Sequence, residues 1–379
     1  MTLSALMPDG FAVVQPGLAS GGQATYIPAG PDTVLWGRLP MRGERPVATV
    51  GPGDTVVLDT VSHEGILEDQ GSDPVAYFGR HGVPRDSILS DAVEICTRLT
   101  RNPATDGPHI ITGPVAVAGA VPGDLLAVRI DRLQMRAPYG VISTRHGRGV
   151  RTGRPDVDGA YGGFCRVVDE GGSWYGSIPL HRNGSEQARF PLSPFLGTIG
   201  VATDTAERAN STPPGPHGGN IDIKLLTPGA TLFLPVQAPG ALLYVGDPHF
   251  AQGNGEVALT AFEAPLRAWL TVDVVPAALA AELSAVRGPF ATAGGFVIPT
   301  GLDADLNRGL ELCVANAVEL LHALFEMEPR QAYLYLSAAT DFTISQAVDL
   351  VSGVHGQIRT ADFARSRDSE LARRILGPR

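Results

Sequence analysis

Cysteines, aromatic residues and long apolar runs are all scarce in this sequence. Its three cysteines, Cys96, Cys165 and Cys313, are far apart, and none belongs to a Cys-x-x-Cys pair. This argues against a disulfide framework and a thiolate zinc site, and it favours a reducing compartment. No apolar stretch is long enough to span a bilayer. The start, MTLSALMPDG, lacks the basic region and apolar run of a signal peptide, so we expect a cytoplasmic protein without a membrane partner.

The chain is also poor in positive charge. Its 29 lysines and arginines stand against 39 acidic residues, which gives a formal net charge of -10. Phosphate binding requires a cationic surface, so this balance argues against nucleic acid as a partner. Small molecules that are neutral or weakly charged remain possible ligands. At 379 residues the chain is long enough to bury a site within a sizeable core.

Glycine and proline, by contrast, are abundant, with 46 and 31 residues. They supply the backbone angles that tight turns need, so we predict many short strands. The pairs Pro52-Gly53, Pro122-Gly123 and Pro228-Gly229 each precede an aliphatic run, which predicts a type II turn leading into a strand. We therefore expect a mainly β fold, with a β-sandwich or barrel-like body rich in Pro-Gly turns.

Composition changes near residue 276, where apolar residues adopt helical spacing. The segment DADLNRGLELCVANAVELLHALFEM predicts a helix capped by Asp303 and ended by Pro329. RQAYLYLSAAT fits either a helix or a strand, whereas DFTISQAV alternates like a strand. The predicted parts are a β-rich N-terminal part (1–135), a loop-rich insertion (136–190), a central β part (191–275) and an α+β C-terminal part (276–379).

The stretch GDPHFAQGNGEV, residues 246–257, concentrates polar side chains on glycine-rich backbone. A strand that ends at Gly246 would leave Asp247 and His249, two residues apart, on the same side of the extended chain. The Gly-Asn-Gly sequence at 253–255 predicts a turn that brings Glu256 toward them, with a new strand beginning at EVALTAFEA. Two acids and an imidazole would then converge.

A second polar cluster lies upstream, in PPGPHGGNIDIKLL. His217 precedes two glycines, and Asn220 and Asp222 share a face because they are two residues apart. Histidine with carboxylate and amide oxygens is the ligand set of a divalent metal of the zinc or manganese type. Such an ion lowers the pKa of a bound water and polarises a carbonyl. The combination favours hydrolysis of an unactivated carbonyl compound such as an amide.

PHGGNIDI and GDPHFAQGNGEV together resemble the signature pair of the acetamidase/formamidase family. The likeness is collinear over most of the chain. It continues in DGPHIITGPVAVAGAVPGDLLAVRI at 106–130, SPFLGTIGVA at 193–202 and YLSAATDFTISQAVD at 335–349. The resemblance implies a cytosolic, metal-dependent amide hydrolase, built largely of β-structure, that makes a carboxylate and ammonia. The Gly/Arg-rich segment 136–190 matches no pattern of the family.

Roles can be assigned on this basis. We expect Asp222, Asp247 and His249, with His217 as a further ligand, to hold one divalent ion, zinc. Glu256 is then the general base that takes a proton from the attacking water and protonates the leaving ammonia. Asp247 and His249 are catalytic residues because they hold this ion beside the reacting groups.

Substrate contacts are predicted elsewhere. Asn220 and Gln252 are expected to bind the substrate amide or to orient the ligands. His109 precedes an element of the family and is a further candidate. DTVSHEGILEDQGSDP offers Asp59, His63, Glu64 and Asp69 as substrate contacts, or it is a solvated surface loop. The remaining histidines, expected to be ordinary turn, loop or helix residues, are His81, His146, His181, His322 and His355.

Three alternatives stay open. The clustered acids and amides are also turn-forming and capping residues. The same scaffold could hydrolyse a cyclic amide or another C–N bond, or it could bind a metal and a small molecule without turnover. A nucleophilic mechanism is disfavoured, because no cysteine lies in a motif and no Gly-x-Ser-x-Gly occurs. Exposed strand edges make a homo-oligomer plausible.

Overall fold

The fold is described from a computed structural model. It describes residues 11–17, 24–145, 147–157, 159–181, 184–365 and 368–377. The N-terminal MTLSALMPDG and His146 lie outside these residues. No helix within the described ranges is long and apolar enough to cross a membrane. All three cysteines are free.

The largest sheet has nine strands and runs from the N-terminal part to the C-terminal part of the chain. In spatial order its strands are β1 (Thr25–Ile27), β4 (Thr55–Asp59), β15 (Leu266–Val275), β6 (Leu125–Met135), β13 (Thr231–Pro235), β16 (Phe290–Ala293), β17 (Phe296–Asp303), β19 (Ser352–Arg359) and β18 (Asp341–Gln346). Only the β1–β4 pair is parallel within it. Since antiparallel neighbours need only short connections, this sheet can use the tight turns that the sequence supplies.

The three predicted Pro-Gly turns are present in this sheet. Gly53, Gly123 and Gly229 have φ values of 87, 99 and 95°, and β4, β6 and β13 begin two residues after each of them. Glycine adopts such positive φ values without steric cost, and proline presets the preceding angle. Local turn chemistry therefore starts three of the nine strands.

A second sheet packs against the first and positions the polar cluster. Its strands are β12 (Gly218–Asn220), β11 (Phe195–Gly200), β14 (Leu243–His249), β5 (Ile110–Val117) and β2 (Val34–Trp36), with β3 (Ala48–Val50) paired to β5. One apolar core joins the sheets, through Val128 and Leu232 of the first and Ile199 and Val245 of the second. Full burial of each such side chain contributes about 1.5–3 kcal/mol. The predicted mainly β, sandwich-like body is confirmed.

Residues 139–191 contribute a four-stranded antiparallel sheet. Its strands, in chain order, are β7 (Tyr139–Thr144), β8 (Tyr161–Glu170), β9 (Ser173–Pro179) and β10 (Gln187–Pro191). The long connection between β7 and β8 carries the Gly/Arg-rich sequence. An isolated bridge between Val141 and Glu263 connects β7 to the chain that follows β14.

The C-terminal part combines strands and helices, as predicted. Among the described residues the α-helices are α1 (Pro74–Gly79), α2 (Ser90–Arg98), α3 (Ala277–Ala280), α4 (Leu306–Phe325), α5 (Pro329–Ala339) and α6 (Glu370–Leu376). A second apolar core, with Ala317, Leu320 and Leu324 of α4 among its members, also includes residues of α3, α5 and α6.

Two details of the helix prediction are wrong. The cap of α4 is Asp305, whose carboxylate accepts a hydrogen bond from the Asn307 N–H at 2.8 Å, and not Asp303. The helix ends at Phe325 because Glu326 turns left-handed, with φ of 58°. Pro329 instead begins α5, where its missing N–H costs nothing. RQAYLYLSAAT is thereby a helix, and DFTISQAV is strand β18, as predicted.

The backbone around GDPHFAQGNGEV also departs from its prediction. β14 does not end at Gly246 but runs on to His249, with a left-handed residue, Asp247, inside it. EVALTAFEA forms no strand; it is irregular chain that begins at Glu256 and precedes β15. The alternation of apolar residues suggested a strand there. The segment instead lies against the site and contributes acidic side chains to the polar cluster.

Candidate metal and active site

Eight acidic and histidine side chains converge at one end of the second sheet. Four overlapping groups of three each bring ligand atoms within 4.8 Å of one another. Every member is at most 6% exposed. The members are His63, His109, Asp222, Asp247, His249, Glu256, Glu263 and Asp349.

Three neighbouring strands position the centre of this cluster. β11 lies between β12 and β14, with Thr198 opposite Asn220 on one side and Gly246 on the other. Asp222 follows β12 and Asp247 lies in β14, so both carboxylates lie over Gly197. A methyl group on Gly197 would be 2.7 Å from Asp247 Oδ2 and from His249 Cε1, and closer still to Asp222 Oδ1. The missing side chain at this position makes room for the carboxylates.

Three of the carboxylates stand on left-handed backbone. Asp222, Asp247 and Glu256 have φ values of 47, 49 and 46°. Non-glycine residues seldom adopt this region, which costs of the order of 1–3 kcal/mol each, and such residues concentrate at functional sites. The backbone is thus strained at the three residues whose carboxylates point into the cluster.

Imidazole and carboxylate atoms approach one another closely without hydrogen-bond geometry. His249 Nε2 is 3.1 Å from Asp247 Oδ2 and 3.0 Å from Glu263 Oε1. His63 Nδ1 is 3.4 Å from Asp247 Oδ1. The buried atoms without a hydrogen-bond partner among the described residues include both ring nitrogens of His249, both oxygens of Asp222, Asp247 Oδ1 and Glu263 Oε2.

Those unpartnered atoms fit a divalent cation. Buried polar atoms without partners are expensive, and atoms that aim at a shared point rather than at each other are what a metal site requires. Imidazole nitrogen and carboxylate oxygen are the donors that zinc and manganese accept. The residues present could therefore hold a metal ion.

The pKa values of the clustered acids also support a metal site. Burial raises the pKa of Asp222 and Glu256 well above the usual values, and the carboxylate of Asp349 raises both further. Burial raises the pKa of Asp349 itself to about 7. Burial would also raise the pKa of Asp247, but the His249 and His109 rings hold it well below its usual value. Without a cation, the cluster keeps protons on several of its carboxyl groups.

His63 and His109 reach the cluster from the other predicted segments. Their rings meet edge to face with centroids 5.4 Å apart, and His109 Nε2 is 3.8 Å from Asp247 Oδ1. His109 Nδ1 contacts the backbone and hydroxyl oxygens of Ser211, each at 3.1 Å. Glu64 contacts the outer side of His63, with Oε1 3.6 Å from Nε2. Glu64 also forms an ion pair with the buried Arg145, so its carboxylate is already occupied.

Asn220 and Gln252 differ in their placement. Asn220 lines the cavity described below, and its Oδ1 accepts a hydrogen bond from Thr198 Oγ1 at 2.7 Å. Gln252 donates through Nε2 to the backbone oxygens of Asp222 and Ser345, at 3.0 and 3.1 Å. It therefore braces the backbone of Asp222, which agrees with an orienting role rather than with direct binding.

Several candidate residues are not brought into the cluster. His217, expected as a metal ligand, belongs to none of the four groups; Nε2 of its ring has no hydrogen-bond partner among the described residues, and burial lowers its pKa to about 4. Asp59 forms a buried ion pair with Arg267, and Asp69 lies near Arg145, so neither faces the site. His355 contacts Ser345 Oγ at 2.8 Å.

Sequence reasoning missed two members, Glu263 and Asp349. Asp349 ends the segment YLSAATDFTISQAVD, and that resemblance could have drawn attention to its acid. It reaches the cluster because Gly255 pairs with Gln346 in an isolated bridge, which joins the Glu256 loop to the end of β18. Glu263 gave no such signal, since it lies among aliphatic residues in a segment predicted as a strand.

The cluster opens into a cavity of about 330 Å³. Asp247, Glu256, Glu263 and Asp349 reach its surface. Most of the other lining residues come from the 101–109 loop, the chain after β7, and the segment around Leu259 and Thr260; the rest are His63, Thr212 and Asn220. A cavity near 300 Å³ lies at the small end of the usual range for small-molecule sites. The arrangement can bind an ion and a small substrate side by side.

Comparison with known proteins identifies related chains. Residues 186–358 match the model of the Acetamidase/Formamidase family. An acetamidase of Mycolicibacterium smegmatis is 32% identical over 198 residues, which cover 39% of this chain and 49% of the relative. The chain thus spans about half the length of this relative. The resemblance seen in the sequence is confirmed.

Solved structures share the fold at lower identity. An acetamidase from Yersinia enterocolitica superposes with a TM-score of 0.70 at 22% identity, covering 92% of this chain and 96% of that one. A gamma lactamase from Delftia acidovorans gives 0.52 at 22% identity, covering 89% and 91%. The architecture is therefore common to proteins named for linear and for cyclic amides.

Proposed function

We propose that this chain, whose residues 186–358 match the Acetamidase/Formamidase family, hydrolyses a short carboxamide to a carboxylate and ammonia with the help of a divalent metal ion. The observation that carries the proposal is the buried cluster of three histidines and five carboxylates, facing a cavity of about 330 Å³. Its unpartnered ligand atoms and its proton-holding acids support a bound cation. The family match supports the reaction class.

Asp222, Asp247 and His249 are the proposed ligands, and zinc is the proposed ion. These three residues form one of the four groups, and each has a side-chain atom directly over Gly197. When bound, a divalent ion polarises a carbonyl oxygen and lowers the pKa of a water. His63 and His109, near the other oxygen of Asp247, are available to a second ion or to the substrate.

Glu256 is the proposed general base. It reaches the cavity surface, and burial together with the neighbouring carboxylates raises its pKa above the usual value. A carboxylate that readily accepts a proton suits a residue that takes one from the attacking water and then delivers it to the leaving nitrogen.

Asn220 is the proposed contact of the substrate carbonyl. Its Oδ1 is already engaged by Thr198, which leaves its amide nitrogen free to donate. An amide N–H aimed at the position where negative charge develops would stabilise the tetrahedral intermediate. Asn220 thus differs from Gln252, whose donor atom is engaged by backbone.

The proposal is tested with purified protein by measuring ammonia release from formamide, acetamide and propionamide, and formation of 4-aminobutanoate from 2-pyrrolidinone, whose ring opening releases no ammonia. Each assay is run as purified, after chelation, and after addition of zinc or manganese. We expect release that stops on chelation and returns with one of the ions. An unchanged rate in chelated protein, with metal content measured in the same sample, would contradict the metal mechanism. Preference for 2-pyrrolidinone would favour the cyclic-amide alternative, for which the cavity has room.

Compartment and assembly complete the proposal. Three free cysteines agree with a reducing compartment, so we place the enzyme in the cytoplasm. Leu310, Tyr333 and Leu334 expose large apolar side chains on α4 and α5, at 42, 64 and 64%. Such an exposed apolar face supports a homo-oligomer. Light scattering coupled to size exclusion, on the parent and on Leu334→Glu, tests it; a monomeric parent would contradict it.

A further inference from the structure

We infer that the cavity selects amides whose acyl group carries a carboxylate, that is, monoamides of short dicarboxylic acids. The inference rests on the proposed function and names its substrate class. It begins from three arginines, Arg101, Arg145 and Arg148, which line the same cavity as Asn220 and Glu256.

This concentration of arginine is unlike the chain as a whole. The protein carries a formal net charge of -10. In the connection after β7, however, arginine recurs at every third position, at Arg145, Arg148, Arg151 and Arg154. The guanidinium group binds a carboxylate through two parallel hydrogen bonds, so it is the side chain expected where an anion must be recognised.

Arg145 brings a buried positive charge to the cavity wall. It is 6% exposed and forms an ion pair with Glu64, with Asp69 at 3.4 Å. Its Nε is buried and has no acceptor among the described residues. One N–H of a buried guanidinium therefore remains to be satisfied, and a ligand carboxylate in the cavity would satisfy it.

The positive charge of Arg148 is not balanced by a carboxylate of the described residues. Arg101 is paired with Glu68 at 2.5 Å, whereas Arg148 is exposed and has no carboxylate within ion-pair distance in the described part of the chain. The two residues that follow it are held in place. Val150 N–H donates to Val257 O at 2.9 Å, and a methyl group on Gly149 would be 3.0 Å from Ala258 O.

The basic connection is thus attached to the loop that carries Glu256. Val257 and Ala258 directly follow the proposed base, so Arg148 and Glu256 belong to neighbouring parts of one cavity wall. A substrate that reaches Glu256 with its amide can reach Arg148 with its far end. The volume of about 330 Å³ also exceeds what a two-carbon amide fills.

The test compares succinamate with butyramide, in which a methyl group replaces the carboxylate. We expect kcat/KM for succinamate to exceed that for butyramide by about tenfold, and the ratio to fall as salt is added, because exposed charges are screened. A cationic analogue, 3-aminopropanamide, should be the poorest of the three.

Arg148→Gln is the diagnostic variant, and folding should not suffer because the residue is exposed. We expect it to raise KM for succinamate roughly fivefold, the scale of one exposed ion pair, and to leave butyramide unchanged. Arg148→Lys should restore part of the loss. Arg154→Gln is the matched control: it removes the same charge from the same connection, outside the cavity, and should change neither substrate.

Failure of the inference and failure of the proposed function give different results. Equal turnover of butyramide and succinamate would overturn the inference while leaving the amide hydrolase intact. Equal losses with both substrates in Arg148→Gln would overturn it too. If no amide releases ammonia, calorimetric titration with succinamate still decides: saturable binding weakened by Arg148→Gln supports an anion site, and absence of binding overturns it.

Discussion

His249 Nε2 lies 3.0 Å from Glu263 Oε1, although the two residues are joined by irregular chain and not by a hairpin. An isolated bridge between the same residues holds their backbones together. Glu263 Oε1 also accepts a hydrogen bond from the Ala261 N–H at 3.0 Å, so its position is fixed. We propose that Glu263 orients the imidazole of His249, the proposed metal ligand, and that Glu256 faces the substrate.

This division separates two glutamate variants. In Glu256→Gln we expect full metal content and a 10²–10⁴-fold loss of kcat, because only the proton-transfer group is removed. In Glu263→Gln we expect 10–100-fold weaker metal binding and activity that recovers when excess metal is added. Metal analysis together with titration of activity against metal concentration measures both.

The exposed Glu207→Gln is the control for this pair, since it changes the same chemistry far from the cluster. Loss of metal in proportion to activity in Glu256→Gln would identify Glu256 as a ligand and remove it as the base.

Gly197→Ala tests the space between the carboxylates. The added methyl group would meet Asp247 and His249 at 2.7 Å, so we expect loss of metal binding and of most activity with the fold retained. Gly79→Ala places a methyl group in open space and is the matched control. Circular dichroism and metal content are the measurements; normal metal content in Gly197→Ala would show that the cluster does not lie against this glycine.

Chelation should make stability depend on pH. Folding raises the pKa of Asp222, Glu256 and Asp349, so the folded protein holds their protons more tightly than the unfolded chain. That stabilisation is present at low pH and is lost as the pH rises through the raised values, about 7 for Asp349. Asp247, whose pKa is lowered, loses its contribution only in strong acid.

A bound ion replaces these protons, so the metal-loaded protein should not show this loss. We expect the Tm of chelated protein to fall below that of loaded protein by a few degrees more at about pH 8 than at about pH 5.5. Thermal unfolding at both pH values, with and without chelator, measures the difference. A constant difference would mean that no proton is exchanged for the ion.

A buried ion-pair network away from the cavity should affect the stability of the fold and not the activity. Arg136 is fully buried, 2.7 Å from Asp91 and 3.5 Å from Asp59, and it donates to Val14 O and Thr60 O. Removal of one partner from such a network costs about 3–5 kcal/mol. Arg136→Ala should lower the free energy of unfolding in urea by this amount.

The exposed pair Arg151–Asp156, with side chains 62 and 63% exposed, is the comparison. Arg151→Ala should cost less than about 1 kcal/mol, because water screens the pair. Equal effects of the two variants would show that the Arg136 network is compensated by repacking.

Short-range features of the site could be predicted from the sequence. Asp222, Asp247, His249 and Glu256 were all identified, because each lies beside glycines or at a spacing of two residues. The left-handed backbone of Asp222, Asp247 and Glu256 has no signal in the local sequence, since non-glycine residues seldom adopt it. The same limit explains Asp303, where local preference suggested a cap two residues before the true one.

Long-range members could not be derived from spacing. His63 and Asp349 reach the cluster through pairings between distant segments, and no local pattern encodes which pairings form. His217 shows the converse, because its position beside Asn220 suggested a ligand, yet the turn directs its ring elsewhere.

The bridge between Gly255 and Gln346 also has a consequence for the protein during its synthesis. Asp349, the last of the eight clustered residues along the chain, takes its place only after β18 has formed beside the Glu256 loop. A nascent chain that has extended past β14 already contains Asp222, Asp247 and His249, but not the acid that completes their surroundings. Residue 349 must therefore leave the ribosome before all eight residues of the cluster can come together.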